Sequence, residues 1–473
     1  MNRVARSPIA CLLLGLALCA AGVAEAQRTA PRAAATNPPP AAPAPSAPSL
    51  RCPDDGRPEA LPADAGEAAA ADPRAALQTL VREALARSHQ VGAARLLAEA
   101  AADDTEQARA ADDIRASLDL GLGPGGRRDA LGTSHAAGEG RATLSVSQLI
   151  WDGQRSERLT GWRERLALAA EQGHLSAREQ LALATVSLAL ERARYRQHVV
   201  VYGQYVRKMA CLADALDSIV RVDRGRASEL VQARKSLQQA EIAQAQSQSQ
   251  ARQIEIRLRR LVGDGLPATQ GLSGLLLEVG ELDELVAGVE RSADVASLRA
   301  QAEGAALFAE AVAAGSRPQL SWNATGSAAG TRGGSIGSSK QGTWSLGLTL
   351  SVPLWDRTQR PATDAARKRA RAAELQLAEL LEQRRFRVAE VHEQTLSSFD
   401  RARRVGAVLR DSEQLRNFTL QQWQQLGRRS LFDVIGAEAE HYNLRISYVN
   451  ALTDGQQLNA SLLSLGRGLQ QWL

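Results

Sequence analysis

The stretch W-S-L-G-L-T-L-S-V-P-L-W-D-R, Trp344 to Arg357, decides how this chain folds. Trp344, Leu346, Leu348, Leu350 and Val352 alternate with Ser345, Gly347, Thr349 and Ser351. A period of two marks a strand, here with one apolar face and one small, polar face. Such a strand suits a wall with lipid or a core on one side and water on the other. Pro353 has no N–H to donate and ends the ladder, and a helical pattern starts beyond Asp356. A second copy, T-L-S-V-S-Q-L-I-W-D-G, runs from Thr143 to Gly153 and closes on the same Trp-Asp pair. The chain hands a strand over to a long helix twice.

Working outward, each copy has a partner strand upstream. Leu118, Leu120 and Leu122 alternate with Ser117, Asp119 and Gly121, ahead of a Gly-rich stretch from Pro124 to Gly140 that reads as a loop. Leu320, Trp322 and Ala324 alternate with Ser321, Asn323 and Thr325, ahead of another such loop from Gly326 to Gly342. The spacing predicts two hairpins, 114–151 and 317–354.

Helices flank both hairpins. Asp72-Pro73 reads as an N-cap followed by proline at the first helical position, opening a helix to about Asp113. No proline lies between Pro124 and Pro267, so a helix of roughly 60 residues, ~90–100 Å long, can run from Gln154 to about Val222. Leu183, Val186, Leu190 and Ala193 give it coiled-coil spacing. Asp223-Arg224-Gly225-Arg226 breaks it, and a return helix follows to Val262 with Ile254, Leu258 and Leu261 in its seam. The second half repeats the order: helix 283–314, hairpin, long helix 357–426 with Pro361 tolerated in its first turn, a break at Gly427-Arg428-Arg429-Ser430, and a return helix. Ile435, Ala439, Tyr442, Ile446 and Val449 mark that last seam. Trp151 and Trp355 are 204 residues apart, and Gly225 and Gly427 are 202 apart. Matching order, type and spacing establish an internal repeat. The domains read as 1–26, a secretory signal; 27–72, a Pro/Ala-rich leader; 73–280, the first repeat; and 281–473, the second.

The signal has Arg3 and Arg6, an apolar run from Ile9 to Val23, and a small-x-small site at Ala24-Glu25-Ala26. Leu18 stands where acylation of Cys19 would want a small residue. An exported chain retaining Cys52 and Cys211 leaves two readings open: a disulfide in an oxidising compartment, or two incidental thiols. Hydrophobic residues make up 44% of the 473, yet aromatics only 4%. That favours thin, alanine-rich helix seams over bulky globular cores. The net charge of +5 comes from arginines and glutamates interspersed along helices, which is a solvated helix surface rather than a nucleic-acid face. The six histidines, His89, His135, His174, His198, His392 and His441, show no ligand spacing. No phosphate loop, nucleophile elbow or CxxC is present. The expectation is no enzyme, with no catalytic, cofactor or metal residues.

Four strands cannot close a barrel, and an open strand edge in a bilayer is prohibitive. Three chains supply twelve strands and bring their long helices together as a hollow cylinder. The predicted class is mainly α with a small β part: a trimeric β-barrel continued by a long α-helical barrel.

Across about residues 73–470 the order of elements resembles the outer-membrane efflux protein family, the TolC-like channels. Asp294-Val-Ala-Ser-Leu-Arg-Ala-Gln-Ala-Glu303 with Ala314-Gly-Ser-Arg-Pro-Gln-Leu320 is similar to the helix entering the second hairpin. Ser351-Val-Pro-Leu-Trp-Asp356 resembles the strand exit, and Gly427-Arg-Arg-Ser-Leu-Phe-Asp-Val434 the periplasmic turn. The resemblance implies a homotrimer in outer-membrane lipid, working with a periplasmic adaptor and an inner-membrane transporter of ABC type. The Gly427–Leu431 turn and the end of the chain soon after Gly466-Arg467 are similar to the branch serving type I protein secretion. Efflux of small molecules, drug or metal, is the alternative cargo, and a soluble periplasmic coiled-coil adaptor or scaffold the competing class. In such channels acidic residues just before the second turn often shut the periplasmic end. Here Leu415, Phe418 and Gln422 stand there, leaving Asp411 and Glu413, further back, as gate candidates, with ordinary solvated helix residues as the other reading. Gly225, Arg226, Gly427 and Arg428 are the candidate adaptor contacts. Trp151, Trp344 and Trp355 are candidates for membrane-interface aromatics, with helix–strand packing the other reading for Trp151 and Trp355.

Overall fold

A computed structural model describes Cys52 and residues 72–128, 134–266, 271–332, 339–426 and 429–473. The predicted signal, and the leader apart from Cys52 and Asp72, lie outside these residues. Four strands, β1 (Arg115–Arg128), β2 (Ser134–Trp151), β3 (Gln319–Arg332) and β4 (Ser339–Ser351), form one antiparallel sheet in the order β1-β2-β3-β4. Pairing of β2 with β3, Val146 opposite Ala324, merges the two hairpins into a single wall. The strands run further than the alternation predicts. Both Gly-rich stretches read as loops are largely ladder, with Pro124 opposite Gly138 and Gly330 opposite Lys340. Pro124 is tolerated because β1 is an edge strand of this sheet.

The helices are α1 (Pro73–Arg87), α2 (His89–Arg109), α3 (Arg155–Val220), α4 (Ala227–Val262), α5 (Leu282–Val289), α6 (Ala293–Ala314), α7 (Gln359–Leu426), α8 (Leu431–Leu465) and the short α9 (Leu469–Trp472). α3 has 66 residues and α7 has 68, each about 100 Å long. The predicted helix from Pro73 to Asp113 is two helices. Ser88 leaves the helical conformation, with ψ 114°, and its Oγ accepts from the Val91 N–H at 3.2 Å, starting α2. The predicted helix 283–314 is likewise broken at residues 290–292, where Ser292 Oγ donates to the Val289 carbonyl.

α3 is the spine, packing against α2, α4, α6 and α8, while α7 packs against α6 and α8. One core joins Leu77 and Leu80 of α1 to Val186 and Leu190 of α3 and Leu258 of α4. A second, toward the far ends of the long helices, joins Met209, Leu212 and Leu216 to Leu230, Leu420, Trp423, Leu431 and Ile435. Cys52 and Cys211 are disulfide-bonded with Cα atoms 5.9 Å apart, which decides between the two readings of these cysteines.

The two Trp-Asp pairs are the joints where strand becomes helix. Asp152 accepts from the Arg155 N–H at 3.0 Å, the Ser156 N–H at 2.7 Å and Ser156 Oγ, satisfying donors that the first turn of α3 leaves orphaned. Asp356 accepts from the N–H and Oγ1 of Thr358 at 2.8 and 2.7 Å, which holds its carboxyl below the usual range. Gly153 turns the first joint with φ +67°, and a Cβ there would lie 2.6 Å from Cδ of Arg317. Arg317 itself donates to the Gly153 carbonyl at 2.6 Å, tying the second hairpin to the first joint. Asp152→Ala is expected to cost about 1 kcal/mol, read as a lowered unfolding midpoint.

Candidate functional site

The sheet sorts its side chains cleanly by face. Register places Leu118, Leu144, Gly326 and Trp344 in one row across all four strands. The rows of the same parity are Ala116, Val146, Ala324, Leu346, and then Gln148, Trp322, Leu348. This face is apolar and open: Trp344 is 85% exposed, and Leu120, Leu346, Leu348 and Leu350 are all exposed. Within these three rows Gln148 is polar, and it accepts from the indole N–H of Trp322 at 3.1 Å. The opposite face carries Ser117, Asp119, Thr143, Ser145, Ser147, Asn323, Thr325, Ser345 and Thr349. There Thr349 Oγ1 donates to Asn323 Oδ1 at 3.2 Å, and Ser327 and Thr343 share a 2.6 Å hydrogen bond.

An exposed leucine alone means little, but a contiguous apolar face of this size marks a lipid or protein contact. From Trp344 to Val352 the apolar side of β4 spans about 27 Å along the strand, and a tilt near 40° brings that to ~21 Å of height, close to the band expected in a membrane barrel. Trp344 stands at one end of this band; Trp151 and Trp355, both exposed, stand at the other. Each edge of the sheet, on β1 and on β4, has one side without a strand partner.

The far end of the long helices holds the other candidates. Gly225 and Arg226 form a 3-10 turn between α3 and α4. Asp223 Oδ1 accepts from the Gly225 N–H at 3.0 Å and pairs with Arg226 at 3.7 Å. Gly427 and Arg428 lie outside the described residues; next to them Arg429 donates to Gln422 and pairs with Asp433 at 3.9 Å. Asp411 is exposed and Glu413 half-buried on α7.

The sequence reading missed the main buried charge of this end. Glu438 on α8 is fully buried, 3.6 Å from Lys208 Nζ of α3 and 3.5 Å from Arg416 of α7, and both cations are themselves buried. One carboxylate thus ties three helices together. Beside it Tyr205 and Tyr442 pack with ring centroids 4.8 Å apart, and Arg445 donates to Gln204 at 2.7 Å. Burial, with Glu438 adding to it, pushes the Tyr205 phenol up to about 12. The available signal was the seam of α8: Leu431, Ile435, Glu438, Tyr442, Arg445 and Val449 are buried at steps of three and four, whereas Ala439 and Ile446 are only half-buried.

Further along α3, Arg192 and Arg196 both donate to Glu255 of α4, at 3.0 and 2.8 Å. Burial pushes the Glu255 carboxyl up, but these two hydrogen bonds outweigh it and hold it below the ordinary range. His198 is lowered to about 4 by burial and then by Arg194. Its neutral form belongs to the fold, so its contribution is complete above the unfolded value near 6.5 and is lost as pH falls toward 4. Unfolding midpoints of the wild type should therefore drop more steeply between pH 6.5 and 4 than those of His198→Gln; parallel curves would contradict this.

Among the described residues, no group of His, Cys, Asp and Glu is placed to hold a metal ion, and no helix is long and apolar enough to cross a membrane.

The backbone decides the family of folds. CusC, crystallised in work on folding and transmembrane channel formation, superposes with a TM-score of 0.75 at 17% identity, over 88% of this chain and 99% of that one. The outer membrane protein VceC from Vibrio cholerae gives 0.71 at 19%, over 84% and 97%. The chain has the fold of the TolC-like outer-membrane channels. The Campylobacter jejuni CmeC outer membrane channel shares this TolC-like fold at 0.70 and 13%, over 83% and 86%. No protein-family model matches the sequence, and no curated protein matches it. The TolC-like fold accounts for the mainly α architecture with its small sheet.

Proposed function

We propose that the chain is the outer-membrane channel-tunnel of a tripartite export machine, conducting cargo passively from an inner-membrane pump and periplasmic adaptor to the exterior. The observation that carries this is the four-stranded sheet, apolar across one face, small and polar across the other, and open at both edges. Such a wall is unsatisfied in lipid until other copies cover its edges. Three copies give twelve strands, with the apolar face to lipid and the serine, threonine and asparagine face to a water-filled lumen. The helices support the same reading. α4 exposes Val231, Ile242 and Ile256, and α7 exposes Phe386, Leu396, Leu415 and Phe418, apolar flanks that neighbouring copies would bury.

In this reading Trp151, Trp344 and Trp355 form the two interface girdles. Gly225, Arg226, Gly427 and Arg428 meet the adaptor, and Asp411 and Glu413 line the narrow end. The cargo we assign is protein, with a pump of ABC type, on the likeness of the Gly427–Leu431 turn to that branch. The N-terminal 26 residues direct export. Purified protein reconstituted in a planar bilayer should give stepwise conductance. Recovery from the soluble periplasmic fraction without detergent, with no conductance, would instead favour a coiled-coil adaptor. For cargo, deletion of the gene should remove a protein from the culture medium. An unchanged secretome with raised drug or metal sensitivity would reverse the assignment to small-molecule efflux.

A further inference from the structure

The internal repeat makes one helix contact inside the chain and leaves its counterpart unmade. Val91, Ala98, Ala101, Thr105 and Ala108 form the sheltered side of α2, which packs on α3. Val295, Ala302, Ala305, Ala309 and Val312, each 204 residues further on, form a sheltered side of α6, where Ala305, Ala309 and Val312 meet Ala366 and Ala370 of α7. The starts of α3 and α7, Arg155 and Gln359, keep the same spacing. α6 has a second contact, with α3. The helices that would repeat it, α7 and α2, are not packed on each other.

The α3–α6 contact is close and charged. A Cβ on Gly304 would lie 3.2 Å from Cβ of Arg165, and one on Gly161 would lie 3.3 Å from Cδ1 of Leu307. Arg165 pairs with Glu303 at 3.0 Å. The stripe Ala300, Gly304, Leu307 and Ala311 on α6 is buried or half-buried. The equivalent stripe on α2 is Leu96, Ala100, Asp103 and Gln107, and all four are exposed. On α7 the equivalents of Gly161 and Arg165 are Ala365 and Arg369, and Arg369 is exposed with no ion pair among the described residues. Glu99 of α2, the equivalent of Glu303, pairs with Arg95 of its own helix at 3.4 Å, and both side chains are largely exposed. The two free edges thus carry the small residues, the arginine and the glutamate of a contact that the chain already makes once.

We propose that α7 of one copy seats on α2 of a second copy in the register of α3 on α6, with Arg369 paired to the next copy's Glu99 and packed on its Ala100, and Ala365 beside its Asp103. Unlike edges meet in this contact, so copies join head to tail and close a ring, whereas two α2 edges or two α7 edges would set like charges together. It rests on the reading of the chain as one copy of a closed barrel and adds which residues hold the copies together.

Paired cysteines in the full-length protein, assembled in membranes, test the register. Ala100→Cys with Arg369→Cys should give covalent dimers and trimers on oxidation, resolved on a non-reducing gel, because the corresponding Gly304 and Arg165 lie within disulfide reach. Ala93→Cys with Arg369→Cys, displaced about 10 Å along α2, should give none. Asp103→Cys with Ala365→Cys repeats the comparison with Arg369 intact. Arg369→Glu or Glu99→Arg alone should lower the trimer fraction in detergent by roughly tenfold, since every interface of the ring exchanges a pair for a repulsion. The two reversals together should restore it. Oligomers that form without the Ala100 and Asp103 crosslinks, or with equal crosslinking at Ala93, would overturn the register and leave the channel reading standing. Single reversals without effect would overturn the ion pair, and monomers without conductance would overturn the proposal and the channel reading together.

Discussion

Glu438→Gln is expected to destabilise the protein by about 3–5 kcal/mol, because it leaves two buried cations facing a neutral amide. Lys208 and Arg416 come from α3 and α7, and Glu438 is the anion that meets both at 3.6 and 3.5 Å. None of the three side chains is more than slightly exposed, so water cannot take over the lost charge. Removing one partner of a buried pair costs far more than removing the whole pair. The triple change Lys208→Met, Arg416→Met, Glu438→Leu should accordingly recover most of the loss. Unfolding midpoints of the single and triple variants decide the matter: a triple variant no more stable than Glu438→Gln would show that the charges themselves, rather than their pairing, carry the contribution. Because Glu438 joins three helices near their distal ends, the single variant should also show faster amide exchange in the 200–220 and 410–440 regions than in the core around Leu190 and Leu258.

Leu348→Arg should abolish or strongly reduce assembly in the outer membrane. Leu348 lies midway between Trp344 and Val352 on the apolar face, in the row of Gln148 and Trp322. An arginine near the midplane of a membrane barrel costs about 2–4 kcal/mol, and three copies would multiply it. The adjacent Gly347 points to the other face, beside Asn323. Gly347→Arg should therefore leave membrane assembly intact and alter conductance instead. The contrast between neighbours is the informative part, since a packing role for this face in a soluble protein would make neither variant dependent on lipid. Quantifying membrane-inserted oligomer for the two variants reads it directly.

The period-two pattern at Trp344–Val352 was enough to give the strand, its two faces and the membrane-wall reading, and proline-free stretches gave the long helices. What lay beyond reach depended on partners distant in sequence. Pairing of β2 with β3 joins residues more than 150 positions apart, and nothing in either hairpin states it. The Gly-rich stretches look like loops because glycine carries no face preference, yet a neighbouring strand supplies their ladder. Cys52 stands in a proline- and alanine-rich stretch with no periodicity, so its bond to Cys211 had no local signature. Glu438 has no local signature either. A carboxylate in a helical seam reads as solvent-facing until Lys208, 230 residues upstream, and Arg416 are brought against it. Asp411 and Glu413 stand out in the sequence by nearness to the second turn, and the buried charge of that end sits across the turn on α8.

The central claim is that this sheet is one third of a closed barrel. Single-particle imaging of the full-length protein in lipid nanodiscs tests it most directly. The account predicts threefold particles in which twelve strands cross the lipid, β4 of each copy pairs with β1 of the next, and a helical cylinder of about 100 Å continues below. Monomeric particles outside the disc, or a sheet whose edges stay unpaired, would contradict it.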